Sequence, residues 1–346
     1  MSKKKILIYS PGSLGDTLVM LPTIRFIKDK YKPEEFVFLY DVQSGRKRFT
    51  PRDIFEFTKM FDNFVPYKYY SKKISFAYLF STFKIYLFIL LSRFDLIFYL
   101  PEVWRDETKF ARDKFFFKLC LHGDKVIGFD RVINRPLECE GVMHKALELY
   151  YRSGGTIPKE FTPEDYSMAQ YVNPINEKFQ DNTYVLSPFS NMPSKDWPIS
   201  SYSELCKKIN SKLGLIPVIY GGVEDFNNAD LLIKDLGFGI NKCSNEFQEI
   251  TFEKLLNFFY KSKLYIGNDS GHMHIASALD LPIVAIFSSR DYSYRWHPIS
   301  KKHIVHRVDV PCKCCFLKEC NEFDNLCLKK ISVNSVFRSV EIMISS

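Results

Sequence analysis

The sequence predicts an α/β protein built of two parallel-sheet domains that face each other across a cleft. Three observations predict it. Short apolar runs suited to buried strands alternate with longer helical patterns. That alternation halts in a polar stretch and then restarts. The length, 346 residues, exceeds what one small core organises and suits two domains of roughly 150 residues each. The composition, 46% hydrophobic and 25% charged, excludes a disordered, collagen-like or coiled-coil chain. Against 40 Asp+Glu stand 48 Lys+Arg, a balance of 48 − 40 = +8. That excess suits an acidic partner such as phosphate or an anionic membrane face. No nucleic-acid partner is expected.

The first block opens on Lys5–Tyr9, a buried strand. Its apolar run of Ile6, Leu7, Ile8 and Tyr9 is too short for a signal peptide, so none is expected. Asp16–Lys30 reads as a helix with Pro22 as a kink or break, and Phe36–Tyr40 as the second strand. Ile74–Ser92 is helical, and Phe94–Leu100 is a strand closed by Pro101. Lys109–Leu121 is an amphipathic helix, and Lys125–Phe129 a short strand. His144–Tyr151 continues a helix that stops at Ser153-Gly154-Gly155.

Asn173–Asn182 is polar and serves as the linker. The second block then runs through the strand Tyr184–Ser187, the helix Tyr202–Leu213 and the strand Pro217–Tyr220, closed by Gly221-Gly222. Helices Asn228–Leu236 and Thr251–Lys261 precede the strand Leu264–Ile266. The helix His272–Leu279, the strand Ile283–Phe287 and the helix Val333–Ile344 complete it. The domains therefore divide as 1–172, a linker 173–182, a second domain 183–330 with a Cys-rich tail, and a C-terminal helix 331–346.

The stretch Ile74–Leu91 is apolar nearly all round, yet Lys84 sits in its middle, at a cost of about 2.5–3.5 kcal/mol in a bilayer core. A spanning helix is disfavoured. From Pro66 to Phe94 the chain carries Lys68, Lys72, Lys73, Lys84 and Arg93 and no acidic residue. Two readings stand: a helix lying on an anionic bilayer surface, or one buried between a sheet and its neighbours. The nine cysteines are an odd number, and Cys120, Cys139, Cys206 and Cys243 are scattered like small hydrophobes. A disulfide framework is not expected, and the cytoplasm is the expected compartment.

Four constellations carry chemistry. Gly12-Ser13-Leu14-Gly15-Asp16 follows the first strand and opens a helix, where small residues let a ligand approach the backbone. It lacks the third glycine of a dinucleotide fingerprint and the Gly-Lys-Ser/Thr of a P-loop. Asp16 is either a first-turn carboxylate complementing the helix dipole or a base for a bound hydroxyl. Lys195, in Ser194-Lys195-Asp196-Trp197-Pro198, is either a point charge for phosphate or a solvated surface lysine above a packed Trp197. In Gly267-Asn268-Asp269-Ser270-Gly271-His272-Met273-His274, Asp269 and Ser270 are natural caps, and the first-turn amides form an anion site. His272 and His274, two apart on a helix, point in different directions and share no metal. Cys312, Cys315, Cys320 and Cys327 follow Cys-x2-Cys-x4-Cys-x6-Cys, with Cys314 beside them. They form either a structural zinc or iron knot or a set of reduced thiols in a compact tail.

Taken in order, these pieces resemble glycosyltransferase family 9, the lipopolysaccharide heptosyltransferase family. The resemblance includes Gly15-Asp16-x5-Pro22, Phe94-Asp95-Leu96-Ile97, Lys125–Phe129 and His144. It continues with Lys195-x-Trp197-Pro198, Gly221-Gly222, Asn268-Asp269-Ser270-Gly271-x-x-His274-x-Ala276-x-Ala278 and the Cys-containing tail. It implies two Rossmann-like domains in the GT-B arrangement. Acceptor binding falls to the first domain, with Gly12, Ser13 and Gly15 in its loop, and nucleotide-sugar binding to the second. By position Asp16 corresponds to the general base and Lys195 to the diphosphate-binding lysine. Asp269, Ser270, Gly271 and His274 correspond to the donor-diphosphate loop. The implied reaction is inverting and needs no catalytic metal. Its donor is a nucleotide-diphosphate sugar, ADP-heptose by this resemblance. Its acceptor is a glycolipid or surface glycan such as the lipopolysaccharide core. The enzyme would be cytoplasmic or peripheral on the inner membrane face. Ser270 stands where Thr is usual, Asp280 where Gly is usual, and Phe287-Ser288-Ser289-Arg290 replaces a Phe-Gly turn. Rival readings are a Rossmann-type nucleotide-sugar epimerase or dehydrogenase, a protein glycosyltransferase, and a scaffold built on the Cys cluster.

Overall fold

A computed structural model describes residues 4–42, 49–68, 76–102, 107–120, 125–129, 143–156, 161–172, 182–242 and 251–345. The expected linker, apart from Asn182, and Cys139 and Cys243 lie outside the described residues. The chain divides into two compact units: Met1–Leu137 with Lys145–Glu160, and Glu138–His144 with Phe161–Ser346.

The first unit holds a five-stranded parallel sheet of β1 (Lys5–Tyr9), β2 (Glu35–Val42), β3 (Asn63–Lys68), β4 (Leu96–Tyr99) and β5 (Val126–Ile127), in the order β3-β2-β1-β4-β5. Ile6, Leu7 and Ile8 are fully buried because β1 is central and helices cover both faces of such a sheet. Each buried side chain of that size contributes about 1.5–3 kcal/mol. The expected helix Asp16–Lys30 is two helices, Leu14–Leu18 and Leu21–Tyr31. Pro22 opens the second of them, where its missing N–H costs nothing. β3 escaped the sequence reading because Pro66 interrupts it; as an edge strand it tolerates a proline.

The helix Phe76–Ser92 buries Ile85 and Ile89 and leaves Leu79, Phe80, Phe83, Leu90 and Leu91 exposed. Among the described residues it is therefore one-sided. Among the described residues no helix is long and apolar enough to cross a membrane.

The second unit holds β6 (Thr183–Ser187), β7 (Ile216–Ile219), β8 (Ile240–Asn241), β9 (Tyr265–Asn268), β10 (Ile283–Phe287) and β11 (His303–Arg307). They form one parallel sheet in the order β11-β10-β9-β6-β7-β8. The chain runs outward from β6 to β8, returns to β9 beside β6, and runs outward again to β11. The direction reverses between β6 and β9, so a crevice opens at their carboxyl ends. Tyr184, Leu186, Ile266, Val284 and Ile286 fill the core, with Trp197 beneath and Val336, Phe337 and Val340 of the Val333–Ser345 helix closing it. β8 and β11, both edge strands, were not legible in the sequence; β11 reads His-Ile-Val-His-Arg, too polar to announce itself.

Candidate donor site and loop geometry

The site in the second unit is built on the carboxyl ends of β6 and β9. Asn268, the last residue of β9, is fully buried and acts as its hub. Its Nδ2 donates to Pro188 O at 2.7 Å and to Asp196 Oδ1 at 3.2 Å. Its Oδ1 accepts from Tyr202 OH at 2.7 Å and from Trp197 N at 3.4 Å. These bonds tie the loop after β6 to the end of β9. Gly267, one residue earlier, has no room for a side chain: an added Cβ would lie 2.6 Å from Ser187 O.

That tie brings two of the expected residues together. Lys195 Nζ donates to Asp269 Oδ2 at 2.6 Å. Both side chains are largely buried, at 15% and 9% exposure, so the pair is screened less than a surface ion pair. Trp197 lies beneath, 1% exposed, with Nε1 donating to Ile331 O at 3.2 Å. The Lys195 loop is also pinned from the tail. Ser194 N donates to Lys318 O at 3.2 Å, and Ser194 Oγ donates to Leu317 O at 2.7 Å. The Arg290 guanidinium donates to Leu317 O and Phe316 O at 2.8 and 2.9 Å.

Ser270 occupies the N-cap position of the Gly271–Ala278 helix with extended backbone, as expected, but does not cap it. Its Oγ instead meets Tyr265 OH at 3.3 Å, so the first-turn amides receive no side-chain cap. Uncapped first-turn amides and a lysine are both groups that favour an anion, and here Lys195 is balanced by Asp269. His274 points elsewhere than His272: its Nδ1 meets Tyr166 OH at 3.4 Å, and its ring lies edge-on to Trp296. Burial pushes its pKa down to about 4, against the pull of Asp269 upward. Burial pushes Asp196 up to about 6, with Ser190 opposing and the Asp225 charge assisting. Asp196 and Asn268 were missed as site residues; only their position beside Lys195 and Asp269 in sequence could have flagged them.

The Asp16 loop belongs to the first unit. Asp16 stands at the third position of the Leu14–Leu18 helix, and its Oδ2 accepts from Ser13 N at 2.8 Å and Ser13 Oγ at 2.7 Å. One carboxylate oxygen thus serves a capping box. Gly12 N donates to Asp41 Oδ1 at 3.0 Å, and a Cβ on Gly12 would fall 2.7 Å from Asp16 Cβ. The glycine is what lets the loop close over Asp16. Gly15 is buried beneath it.

Of the two readings of the tail cysteines, a metal knot or reduced thiols, the metal one finds no support. Cys312, Cys315, Cys320 and Cys327 are free, half-buried thiols, and among the described residues no group of three or more His, Cys, Asp or Glu could hold a metal ion. The tail takes its order from other contacts. Cys314 N donates to Ser289 O at 2.7 Å, Phe316 N donates to Arg290 O at 2.9 Å, and Cys327 packs against the core. Cys314 is disulfide-bonded, against the expectation of reduced thiols in the tail.

Residues 142–325, just over half of the chain, match the model of glycosyltransferase family 9 (heptosyltransferase). Lipopolysaccharide heptosyltransferase 2 of Salmonella typhimurium is 33% identical over 119 residues, 34% of this chain; the match spans only 33% of that relative's length. Lipooligosaccharide heptosyltransferase 2 of Campylobacter jejuni is 22% identical over 99% of both chains. The structure of ADP-heptose lps heptosyltransferase II from E. coli superposes with a TM-score of 0.66 at 16% identity, covering 99% of this chain and 98% of that one. At that identity the likeness shows the fold: two α/β units with parallel sheets, the GT-B architecture.

Proposed function

Because this chain belongs to glycosyltransferase family 9, we propose that it transfers a heptose from ADP-heptose to a hydroxyl of the lipopolysaccharide core or a related surface glycan. The observation that carries the reading is the Lys195–Asp269 pair beside an uncapped helix N-terminus, at the crevice where the strand order reverses. Such a pocket suits a diphosphate.

The reaction proposed is a metal-independent inverting displacement. The acceptor hydroxyl loses its proton to the Asp16 carboxylate while its oxygen attacks the anomeric carbon from the face opposite the diphosphate. The bond from that carbon to the diphosphate oxygen breaks, and its electron pair stays on the leaving ADP. Charge grows on the diphosphate as the bond breaks. Lys195 and the amides of Gly271, His272 and Met273 stabilise it there, one such donor being worth about 3–4 kcal/mol. Asp269, Ser270, Gly271 and His274 belong to the loop proposed to hold the donor diphosphate. Gly12, Ser13 and Gly15 let the acceptor approach the backbone beside Asp16.

The acceptor being a glycolipid, the exposed face of Phe76–Ser92 is read as the part that rests on the inner membrane surface. Leu79, Phe80, Phe83, Leu90 and Leu91 supply the apolar contact, and Lys84, held over the Phe80 ring, supplies a charge for anionic headgroups. Incubation with ADP-heptose and a heptose-deficient core glycolipid, followed by mass spectrometry, tests the function. One added heptose and released ADP are expected; donor hydrolysis without transfer, or no turnover, overturns it.

A further inference from the structure

We infer that His272, set in one tautomer by Ser187, is a further hydrogen-bond donor to the diphosphate of the bound nucleotide; the inference rests on the donor-site reading of the second unit. Ser187 is the last residue of β6 and fully buried, and its Oγ lies 3.0 Å from His272 Nδ1. The bond crosses the crevice where the strand order reverses, since Ser187 pairs with Gly267 of β9 and His272 follows β9 on the helix. The ring stacks on Phe259 at 6.2 Å between centroids and leans on Tyr220 at 6.5 Å. Tyr220 directly precedes Gly221-Gly222 at the end of β7. The imidazole is therefore held by the ends of two neighbouring strands, β6 and β7, and by Phe259 of the helix Phe252–Tyr260.

Tyr265 OH gives its single hydrogen to Asn268 O at 3.2 Å, and its oxygen meets Ser270 Oγ at 3.3 Å. The inferred role takes the Ser187 hydroxyl as the donor to His272 Nδ1; Ser187 also neighbours Tyr265 OH, so the tautomer is what the nitrogen shifts decide. The ring proton then resides on Nε2, for which no protein partner occurs among the described residues. His272 is the second residue of its helix, and helical side chains lean toward the N-terminus. Nε2–H thus belongs to the same end of the helix as the amides of the anion pocket. Burial lowers the His272 pKa to about 4, so the ring donates as a neutral group. Ser187 acts through His272 and is a positioning residue.

The test is calorimetric titration of ADP and UDP into the full chain and its His272→Ala, His272→Gln and Ser187→Ala variants, with imidazole 15N shifts recorded in parallel. Wild type is expected to bind ADP with His272 in the Nε2–H form, the Nε2 resonance moving on addition of ADP. His272→Ala should weaken binding about tenfold or more, and His272→Gln, whose amide keeps a donor near the Nε2 position, should recover much of it. Ser187→Ala should weaken binding severalfold and bring a population of the Nδ1–H form. An unweakened His272→Ala variant, or an Nδ1–H tautomer in wild type, overturns the role of His272 while leaving the donor site standing. Wild type binding neither nucleotide overturns the donor-site reading itself, and this inference with it.

Discussion

Lys195 Nζ and Asp269 Oδ2 lie 2.6 Å apart although 74 residues separate them in the chain. One side chain comes from the loop after β6, the other from the end of β9, and Asn268 bonds both stretches together. In the nucleotide-free protein the carboxylate balances the lysine. A bound diphosphate would compete with it for the same ammonium group.

Removing the lysine should therefore be felt in binding before it is felt in folding. Lys195→Ala is expected to weaken ADP about ten- to a hundredfold, the range of a charge-assisted hydrogen bond, because Asp269 is also left facing the anion unbalanced. Asp269→Asn should bind ADP at least as well as wild type. Calorimetry measures both, and equal affinities for ADP in wild type and Lys195→Ala would remove the lysine from the pocket.

Asp16 has two jobs that mutation can separate. Asp16→Asn keeps an oxygen to accept from Ser13 but offers no base, so turnover should fall by about 10²–10⁴ with ADP affinity and Tm nearly unchanged. Ser13→Ala should do the reverse, costing about 0.5–2 kcal/mol of stability with a small effect on rate. Steady-state kinetics beside thermal melts distinguish the two; full activity in Asp16→Asn would rule out the base assignment.

The buried groups of the second unit predict opposite pH dependences. His274 is 3% exposed, and burial lowers its pKa to about 4 from an unfolded value near 6.5. Between those values the unfolded chain takes up a proton that the native state refuses. Its contribution is complete above pH 6.5 and is lost as pH falls toward 4, about 3 kcal/mol in all. Asp196 is raised from 3.8 to about 6, so it destabilises increasingly as pH rises through that interval. Melts from pH 4 to 8 should show a shallower acid loss in His274→Gln. They should also show a higher Tm at pH 7, but not at pH 4, in Asp196→Asn.

The exposed face of Phe76–Ser92 predicts binding to anionic vesicles. Replacing Phe80 and Leu91 by Ser removes apolar contact from a face that no core residue needs, so Tm should hold while sedimentation with phosphatidylglycerol vesicles falls severalfold. Equal sedimentation of the variant, or none for wild type, would discard the membrane face. A concentration-dependent dimer that dissociates in the variant would assign the patch to a second copy instead.

The legible parts of this molecule were those encoded by local physics. Ile6-Leu7-Ile8 and Ile283–Phe287 are continuous apolar runs because central parallel strands are buried on both faces. Asp269, Ser270 and Gly271 announced a helix start because uncapped amides demand particular neighbours. β3 and β11 were illegible for the converse reason: edge strands need neither continuous hydrophobicity nor freedom from proline. Asp280 shows a middle case. Its φ of 52° lies in the region that favours glycine, and its carboxylate holds the turn by accepting from Ser300 Oγ at 3.0 Å and Lys301 N at 2.7 Å.

The cysteine quartet marks the limit of spacing as evidence. Cys312, Cys315, Cys320 and Cys327 have the pattern of a metal knot, yet the tail is organised by Ser289, Arg290 and the core. Sequence alone determined the alternation of strands and helices, the helix starts and the family, because each depends on residues close together in the chain or on an ordered series of such groups. Tertiary structure alone decided that Lys195 meets Asp269, that Ser270 turns to Tyr265 and leaves its helix uncapped, and that Ser187 holds His272. Those outcomes depend on which strands lie side by side, and strand order is fixed by burial of the whole sheet, not by any residue's neighbours in sequence.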